Sequence, residues 1–223
     1  MTNVLVIAPH ADDETLGCGG TLLRHRASGD VLHWVLVTGM SVEAGWPAEQ
    51  IATRAAEIKT VAAMFGFSST FQLALPPSGL DTLPLSSVIE PIKKAIVATE
   101  PDVVYLPFSG DAHGDHRVVF SAATACVKRF RARSVRRILA YETLSETEFG
   151  IDQSLAPFRP NVFMNIESWI EQKVEIMRTF ASEIGAFPFP RSGEVIRALA
   201  AYRGAAAGCK AAESFMLLKD IVE

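Results

Sequence analysis

The sequence predicts a three-layer α/β fold in which a mostly parallel sheet carries helices on both faces. Short apolar runs rich in β-branched residues alternate with longer segments whose apolar residues recur at helical spacing. Up to about residue 141 the order is β-α-β-α-β-α-β-α-β, which is typical of a layered α/β domain with a mainly parallel sheet. We identify no internal repeat and no linker, and therefore expect a single domain over residues 1–223.

The predicted elements follow one another closely. Apolar runs of strand length occupy residues 4–8, 31–37, 71–75, 103–107 and 135–141. Helix-forming segments with apolar residues three and four apart occupy residues 15–27, 48–65, 84–99 and 117–130. The last third is less regular, and there we predict a strand over 161–166, a helix over 168–180 capped by Ser168, a helix over 192–206 and a strand over 215–218.

The composition argues against several classes of function. The net charge is −4 and no run of Lys or Arg stands out, which disfavours a nucleic-acid partner. The longest apolar run is far shorter than the roughly 18 residues of a membrane span, and the first apolar run lacks the basic flank of a signal peptide. The three cysteines, an odd number without C-x-x-C spacing, argue against a disulfide framework and favour a reducing cytoplasm.

Two clusters of His and acidic residues follow predicted strands. His10, Asp12, Asp13 and Glu14 come directly after the first strand, and the sequence D-A-H-G-D-H at 111–116 comes after the fourth. In a parallel α/β sheet, ligands bind at the loops that follow the carboxyl ends of the strands. So many acids would repel one another unless a cation lay among them. The two loops therefore predict one divalent metal site.

The residues supplied match the needs of a hydrolytic zinc site. Catalytic zinc commonly has three His or carboxylate ligands and an open position for water, while a nearby carboxylate acts as general base. We assign His10, Asp13 and His116 as metal ligands and Asp12 as the general base. His113 is assigned as an electrostatic or acid catalyst, and Asp115 as a group that orients an imidazole. Spacing alone leaves open which of the two adjacent aspartates binds the metal, since neighbours in an extended segment point opposite ways.

Three glycines, Gly17, Gly19 and Gly20, lie within the predicted first helix. A dinucleotide-binding fingerprint would place its glycines between strand and helix, where this chain has charged residues instead. No Gly-Lys-Ser/Thr follows, so a P-loop is absent as well. We therefore expect these glycines to let the helix pack closely against the sheet or to leave room for a ligand.

Both clusters closely resemble the motifs of the LmbE/PIG-L family, the zinc-dependent N-deacetylases of N-acetylglucosamine-type sugars. Residues 10–14 are similar to its His-Pro-Asp-Asp-Glu motif, with Ala11 in place of Pro, and residues 113–116 match its His-x-Asp-His motif. Arg54 and Glu57 fall where the family has an R-x-x-E helix, and residues 203–215 resemble its closing segment.

The resemblance implies a Rossmann-like, LmbE-like fold and a set of roles. Zinc, or another divalent metal such as Fe²⁺, would bind His10, Asp13 and His116. Asp12 would act as general base, and His113 would stabilise the tetrahedral intermediate. Arg54 would contact sugar hydroxyls. Asp111, which stands where some members carry Tyr, is our further candidate for substrate contact. The implied partner is a small amino-sugar substrate or its conjugate.

Three alternatives remain at this stage. The same hydrolase chemistry would serve a non-sugar amide or a natural-product intermediate. A non-catalytic binding protein on this fold would be expected to have lost a ligand or the base, and every expected position is filled. A non-haem iron oxygenase using His10, Asp12 and His116 would leave Asp13 and His113 without roles.

Loop residues outside the motifs give weaker indications. Trp46, Phe187, Phe189 and Arg191 lie in predicted loops that are candidates for a specificity pocket. The apolar loop 186–190 hints at a homo-oligomer contact. Packing in the core or between subunits explains the aromatic residues equally well.

Overall fold

The computed structural model describes residues 1–152 and 154–222. The strands are β1 (Asn3–Ala8), β2 (Val31–Thr38), β3 (Ser69–Leu75), β4 (Val103–Pro107), β5 (Arg137–Tyr141), β6 (Val162–Asn165) and β7 (Ala212–Asp220). The helices are α1 (Asp13–Ala27), α2 (Ala48–Phe65), α3 (Leu85–Thr99), α4 (Gly114–Cys126), α5 (Ile170–Thr179) and α6 (Gly193–Ala207), and a 3₁₀ turn covers Leu80–Thr82.

The seven described strands form one mixed sheet in the order β3-β2-β1-β4-β5-β7-β6. The five strands from β3 to β5 are parallel to their neighbours, while β7 runs antiparallel to both β5 and β6. The predicted mostly parallel sheet is therefore confirmed. Among the described residues, no helix combines the length and apolarity that a bilayer crossing requires.

The sheet has a core on each face, as a three-layer fold requires. In β1, Val4, Val6 and Ala8 pack towards α1, α2, α5 and α6, whereas Leu5 and Ile7 pack towards α3 and α4. Each of these five side chains is fully buried. A strand that is buried on both faces has a continuous apolar sequence rather than an alternating one, which explains why β1 is apolar at residues 4–8.

The chain reverses direction across the sheet between β1 and β4. From β1 it proceeds through β2 to β3 on one side, then returns to place β4 on the other side. The loops that leave the carboxyl ends of β1 and β4 therefore diverge, and this divergence opens a crevice, the usual ligand site of such a sheet. Both His/Asp clusters lie on these two loops and on the first turns of α1 and α4.

Helix α1 is interrupted at Cys18, where φ is −143° and ψ is 20°. In a regular helix the N–H of Gly20 would donate to the carbonyl of Leu16. Instead Gly20 donates to the Glu213 carboxylate at 2.8 Å, and Lys173 Nζ donates to the Leu16 carbonyl at 2.8 Å. Lys173 and Glu213 are buried and 2.6 Å apart, so an ion pair bridges the break.

The predicted small residues of α1 do provide close packing. A Cβ at Gly17 would lie 2.2 Å from Tyr141 Cδ2, and one at Gly20 would lie 2.8 Å from Ile166. The hydroxyl of Tyr141 donates to the carbonyl of Ile7 at 2.9 Å. These glycines therefore let α1 approach the sheet, as expected from their position in the sequence.

Some element boundaries differ from the predictions. Helix α4 begins at Gly114 rather than 117, and α1 begins at Asp13 rather than 15, because the acidic residues of both motifs occupy first helical turns, where negative charge is favoured. Ser168 is not a cap; α5 begins after Trp169 without a side-chain cap. His25, in the last turn of α1, is partly buried and contacts Asp30 and Tyr105.

Candidate active site

The two motifs converge on a three-residue cluster. Asp13 Oδ2 lies 3.4 Å from His10 Nδ1 and 3.4 Å from His116 Nε2. One potential ligand atom from each of the three residues lies within 4.8 Å of the other two. The rings of His10 and His116 have centroids 5.5 Å apart. Two motifs far apart in the sequence thus present donors that can share one metal ion.

A buried nitrogen in this cluster lacks a hydrogen-bond partner. His116 is fully buried, and its Nε2 makes no hydrogen bond within the described part of the chain. A buried polar atom without a partner is unfavourable unless something else satisfies it. One His nitrogen of this kind beside a second His and a carboxylate is a donor set suited to zinc. The residues present therefore fit a divalent metal.

Each imidazole of the cluster has a second carboxylate on its far side. His116 Nδ1 donates to Asp111 Oδ2 at 2.8 Å, and His10 Nε2 donates to Asp115 Oδ2 at 3.0 Å. These bonds place a proton on the far nitrogen of each ring and direct the near nitrogen towards Asp13. Such carboxylate–histidine pairs commonly orient metal ligands and raise their basicity.

The charges of the cluster are strongly coupled. Burial lowers the pKa of His10, but its hydrogen bonds to Asp115 and Asp13 together raise that pKa to about 9. Burial also lowers the pKa of His116, and Asp13 and Asp111 raise it well above its ordinary value. For Asp13, burial raises the pKa, and the two imidazoles lower it well below its usual range. The carboxylates thus attract positive charge to this position.

Asp12 lies beside the cluster rather than in it. Burial and the charge of Asp13 raise the pKa of Asp12 to about 7, although Arg191 acts in the opposite direction. Arg191 Nη1 donates to Asp12 Oδ2 at 2.8 Å. A carboxylate whose pKa lies near neutrality is well matched to accepting and returning a proton.

His113 presents a hydrogen-bond donor to the crevice. Its Nδ1 accepts the backbone N–H of Asp115 at 3.1 Å, so in the neutral ring the proton is on Nε2. Burial lowers the pKa of His113, and the charges of His10 and His116 lower it further. Its ring centroid lies 4.4 Å from that of His10. A neutral ring with Nε2–H can donate to an oxygen that gains negative charge.

Asp115 ties a third loop to the cluster. Besides His10, its carboxylate accepts the backbone N–H groups of Ser78 at 2.7 Å and Leu80 at 3.2 Å. Burial raises the pKa of Asp115, and the hydrogen bond from His10 and the backbone donors lower it. Asp115 therefore contacts the imidazole of His10, which is the geometry that an imidazole-orienting group requires.

The two residues predicted to contact substrate, Asp111 and Arg54, have different surroundings in the structure. Asp111 is buried, and its two oxygens accept from His116 and from Thr147 Oγ1 at 2.6 Å. The structure therefore argues against its expected contact with substrate, because both oxygens are engaged away from the crevice.

Arg54 lines the crevice, but most of its donors are occupied. It donates to the Ala11 carbonyl at 3.0 Å and to Ser182 Oγ at 2.8 Å, and it also donates to Glu183. Its Nε lies 3.0 Å from Glu57 Oε2, one helical turn further along α2. Arg54 thus holds the backbone of the first motif, and among the described residues one Nη1 proton has no hydrogen-bond acceptor.

The cluster opens into a cavity of about 390 Å³. Its lining includes His10, Asp12, Asp13 and His113, together with the large apolar residues Leu36, Met40, Trp46, Ile51 and Ile58. Of the loop residues named from the sequence, Trp46 and Arg191 line the cavity, and Phe187 is exposed.

Several described residues that contact the motifs or Arg54 were not identified from the sequence. Ser78, Thr147 and Glu183 contact motif residues or Arg54 through pairings distant in sequence. No local sequence pattern predicts contacts between such distant residues. Only Ser78 could have been identified as a candidate, because it lies in a loop that follows a predicted strand.

The chain matches a family model and several known proteins. The model of PIG-L, GlcNAc-PI de-N-acetylase, matches residues 5–127. The uncharacterized deacetylase YaiS of Escherichia coli (strain K12) is 29% identical over 170 residues, which cover 74% of this chain and 82% of YaiS.

Two solved structures share the fold over nearly the whole chain. The conserved protein TT1542 from Thermus thermophilus is 27% identical with a TM-score of 0.79, covering 100% of this chain and 97% of that protein. The N,N'-diacetylchitobiose deacetylase from Pyrococcus horikoshii is 22% identical with a TM-score of 0.73, covering 97% of this chain and 83% of that one. Together with the motif geometry, these matches show that the chain belongs to the LmbE-like PIG-L family and is a deacetylase, a hydrolytic enzyme.

Proposed function

We propose that this enzyme uses zinc to remove the N-acetyl group from an N-acetylglucosamine-type amino sugar or its conjugate. The observation that carries the proposal is the cluster of His10, Asp13 and His116, with a buried, unpartnered nitrogen and Asp12 beside it. The family description and the name of the Pyrococcus relative both concern N-acetylated sugars, which supports this substrate class.

The metal would be held by His10 Nδ1, the Asp13 carboxylate and His116 Nε2. When bound, zinc supplies Lewis acidity and lowers the pKa of a coordinated water to about 7. Asp111 and Asp115 keep the two imidazoles oriented, because each accepts the proton on the far nitrogen. Loss of such an orienting group commonly weakens metal binding about 10- to 100-fold.

The chain's own groups carry the proton transfers. Asp12 accepts the proton of the attacking water and returns it to the departing amide nitrogen. His113 donates its Nε2–H to the carbonyl oxygen as negative charge develops there. These residues line the cavity, so an amide bound there would lie beside both groups.

The apolar part of the cavity favours a second candidate substrate. The large apolar residues in the cavity lining offer more apolar surface than a sugar ring and an acetyl methyl group require. An amide with an apolar substituent, including a non-sugar amide or a natural-product intermediate, would fit this surface. The hydrolytic chemistry would be the same.

The test combines metal analysis with acetate release. We expect purified protein to contain zinc and to release acetate from N-acetylglucosamine or one of its glycosides. Asp12→Asn should lose activity by about 10²- to 10⁴-fold with metal content retained, because it removes the base alone. His116→Ala should lose the metal. A suitable control is His33→Ala, since His33 contacts Ser69 and does not line the cavity. A wild-type rate of acetate release by the Asp12→Asn protein would contradict the proposed role of Asp12 as general base.

A further inference from the structure

Asp12 has an unusual backbone conformation. Its φ is 145° and its ψ is −27°, at the position that precedes helix α1. Residues with a side chain rarely adopt such a positive φ, and they retain it only where the surroundings enforce it. The Asp12 carbonyl accepts from the N–H groups of Thr15 and Leu16, and its own N–H donates to Glu14 Oε2 at 3.2 Å. These bonds fix the main chain but leave the direction of the carboxylate open.

One side chain holds that carboxylate. Arg191 Nη1 donates to Asp12 Oδ2 at 2.8 Å, and within residues 1–152 and 154–222 Asp12 has no other side-chain hydrogen bond. The other oxygen, Oδ1, has no hydrogen-bond partner among these residues, and Asp12 lines the cavity. The arginine therefore occupies one oxygen of the carboxylate and leaves the second available.

Arg191 is itself held in place. Its Nη1 also donates to Glu183 Oε2 at 3.2 Å, and its guanidinium lies 5.5 Å from the ring centroid of Phe189. The next residue, Ser192, caps α6 by accepting the N–H of Val195 at 3.2 Å. The guanidinium thus projects from a fixed point at the start of a helix.

We propose that Arg191 is a positioning residue: it holds Asp12 Oδ2 so that Oδ1 faces the attacking water. This inference rests on the proposed function, in which Asp12 is the general base. A residue of this kind acts on the rate of the chemical step rather than on substrate affinity. A direct contact between Arg191 and substrate is the competing role, and it would act mainly on affinity.

The first arm of the test is kinetic. We expect Arg191→Met to lower kcat about 10- to 100-fold with KM nearly unchanged, since small misplacement of a catalytic group has effects of this size. Millimolar guanidinium should raise kcat of Arg191→Ala, because the free cation can refill the vacated place. Arg197→Met is the matched control, as Arg197 pairs with Glu171 at the surface, and it should behave as wild type in both assays.

The second arm is structural and does not depend on activity. A crystal structure of Arg191→Met should show the Asp12 carboxylate turned from its wild-type direction, with the metal ligands in place. An unmoved carboxylate would overturn the inference, as would a raised KM with unchanged kcat. If wild-type protein releases no acetate from any substrate, the proposed function fails, and the crystal structure still decides whether Arg191 positions Asp12.

Discussion

Replacing Lys173 by Met should strongly destabilise the fold, because Lys173 completes a broken helix. Its ammonium group supplies the donor that the Leu16 carbonyl lacks, and it neutralises Glu213, which supplies the missing acceptors for Gly20 and Thr21. The side chains of Lys173 and Glu213 are only 5% and 4% exposed. Met approximates the volume of the Lys stem, so the substitution chiefly removes the charge and its hydrogen bonds.

The expected loss of stability follows from the groups that Lys173→Met leaves without partners. Glu213 would keep two backbone donors but lose its counter-ion, and the Leu16 carbonyl would lose its donor. Removing one partner of a buried ion pair costs about 3–5 kcal/mol. For a chain of this size about 1 kcal/mol corresponds to 2–4 °C in Tm, so we expect a decrease of about 6–20 °C. The double variant Lys173→Met with Glu213→Gln should be less destabilised, because it leaves no unpaired buried charge.

The assay is equilibrium unfolding in urea, supported by thermal melting. Arg178→Met is the matched control: Arg178 and Glu175 form an exposed pair at 3.0 Å, and such pairs contribute about 0–1 kcal/mol. A Lys173→Met protein within about 1 kcal/mol of wild type would refute the reasoning, since surface pairs have effects of that size. A double variant less stable than the single one would refute the role assigned to the unpaired charge.

Two further predictions concern packing and metal binding. Gly17→Ala should lower the free energy of unfolding, measured in urea, by about 1–3 kcal/mol, because the new Cβ would overlap Tyr141. Gly114→Ala is the control: a Cβ there meets open space, so its free energy of unfolding should be close to that of wild type. Asp111→Asn should weaken metal binding about 10- to 100-fold, measured by competition with a chelator, because His116 loses its carboxylate partner. Asp30→Asn, which alters the partner of the distant His25, should leave metal affinity unchanged, and equal losses in both variants would contradict the orienting role of Asp111.

The sequence predicted the fold well because its signals are local. Residues 48–65 form α2 as predicted, since apolar side chains recur there at the period of a helix. The strand signals also indicated the parallel order, because short strands interleaved with helices have few other arrangements. The sequence predicted that His10 and His116 lie close together, because strand ends in such a sheet face one crevice, and their ring centroids are 5.5 Å apart.

Prediction from sequence was less successful wherever a contact joins distant segments. Asp111 was expected to contact substrate, yet its two carboxylate oxygens accept hydrogen bonds from His116 and Thr147. Arg54 was expected to contact sugar hydroxyls, yet most of its donors hold Ala11, Glu57 and the loop at 182–183. Nothing in the neighbourhood of either residue in the sequence distinguishes a group that faces a ligand from one that supports the ligand-binding backbone.

The last third of the chain completes the site that the first half encodes. The family match ends at residue 127, yet Lys173, Arg191 and Glu213 all bond to groups within residues 12–21. These contacts occur at the helix break and at the strained N-cap, where the backbone departs from a regular strand–turn–helix. The motif supplies the chemical groups, but an unfavourable backbone geometry persists only where surrounding contacts enforce it. A copy of the first motif on another strand–turn–helix, without partners of this kind, would therefore not reproduce the arrangement of its carboxylates.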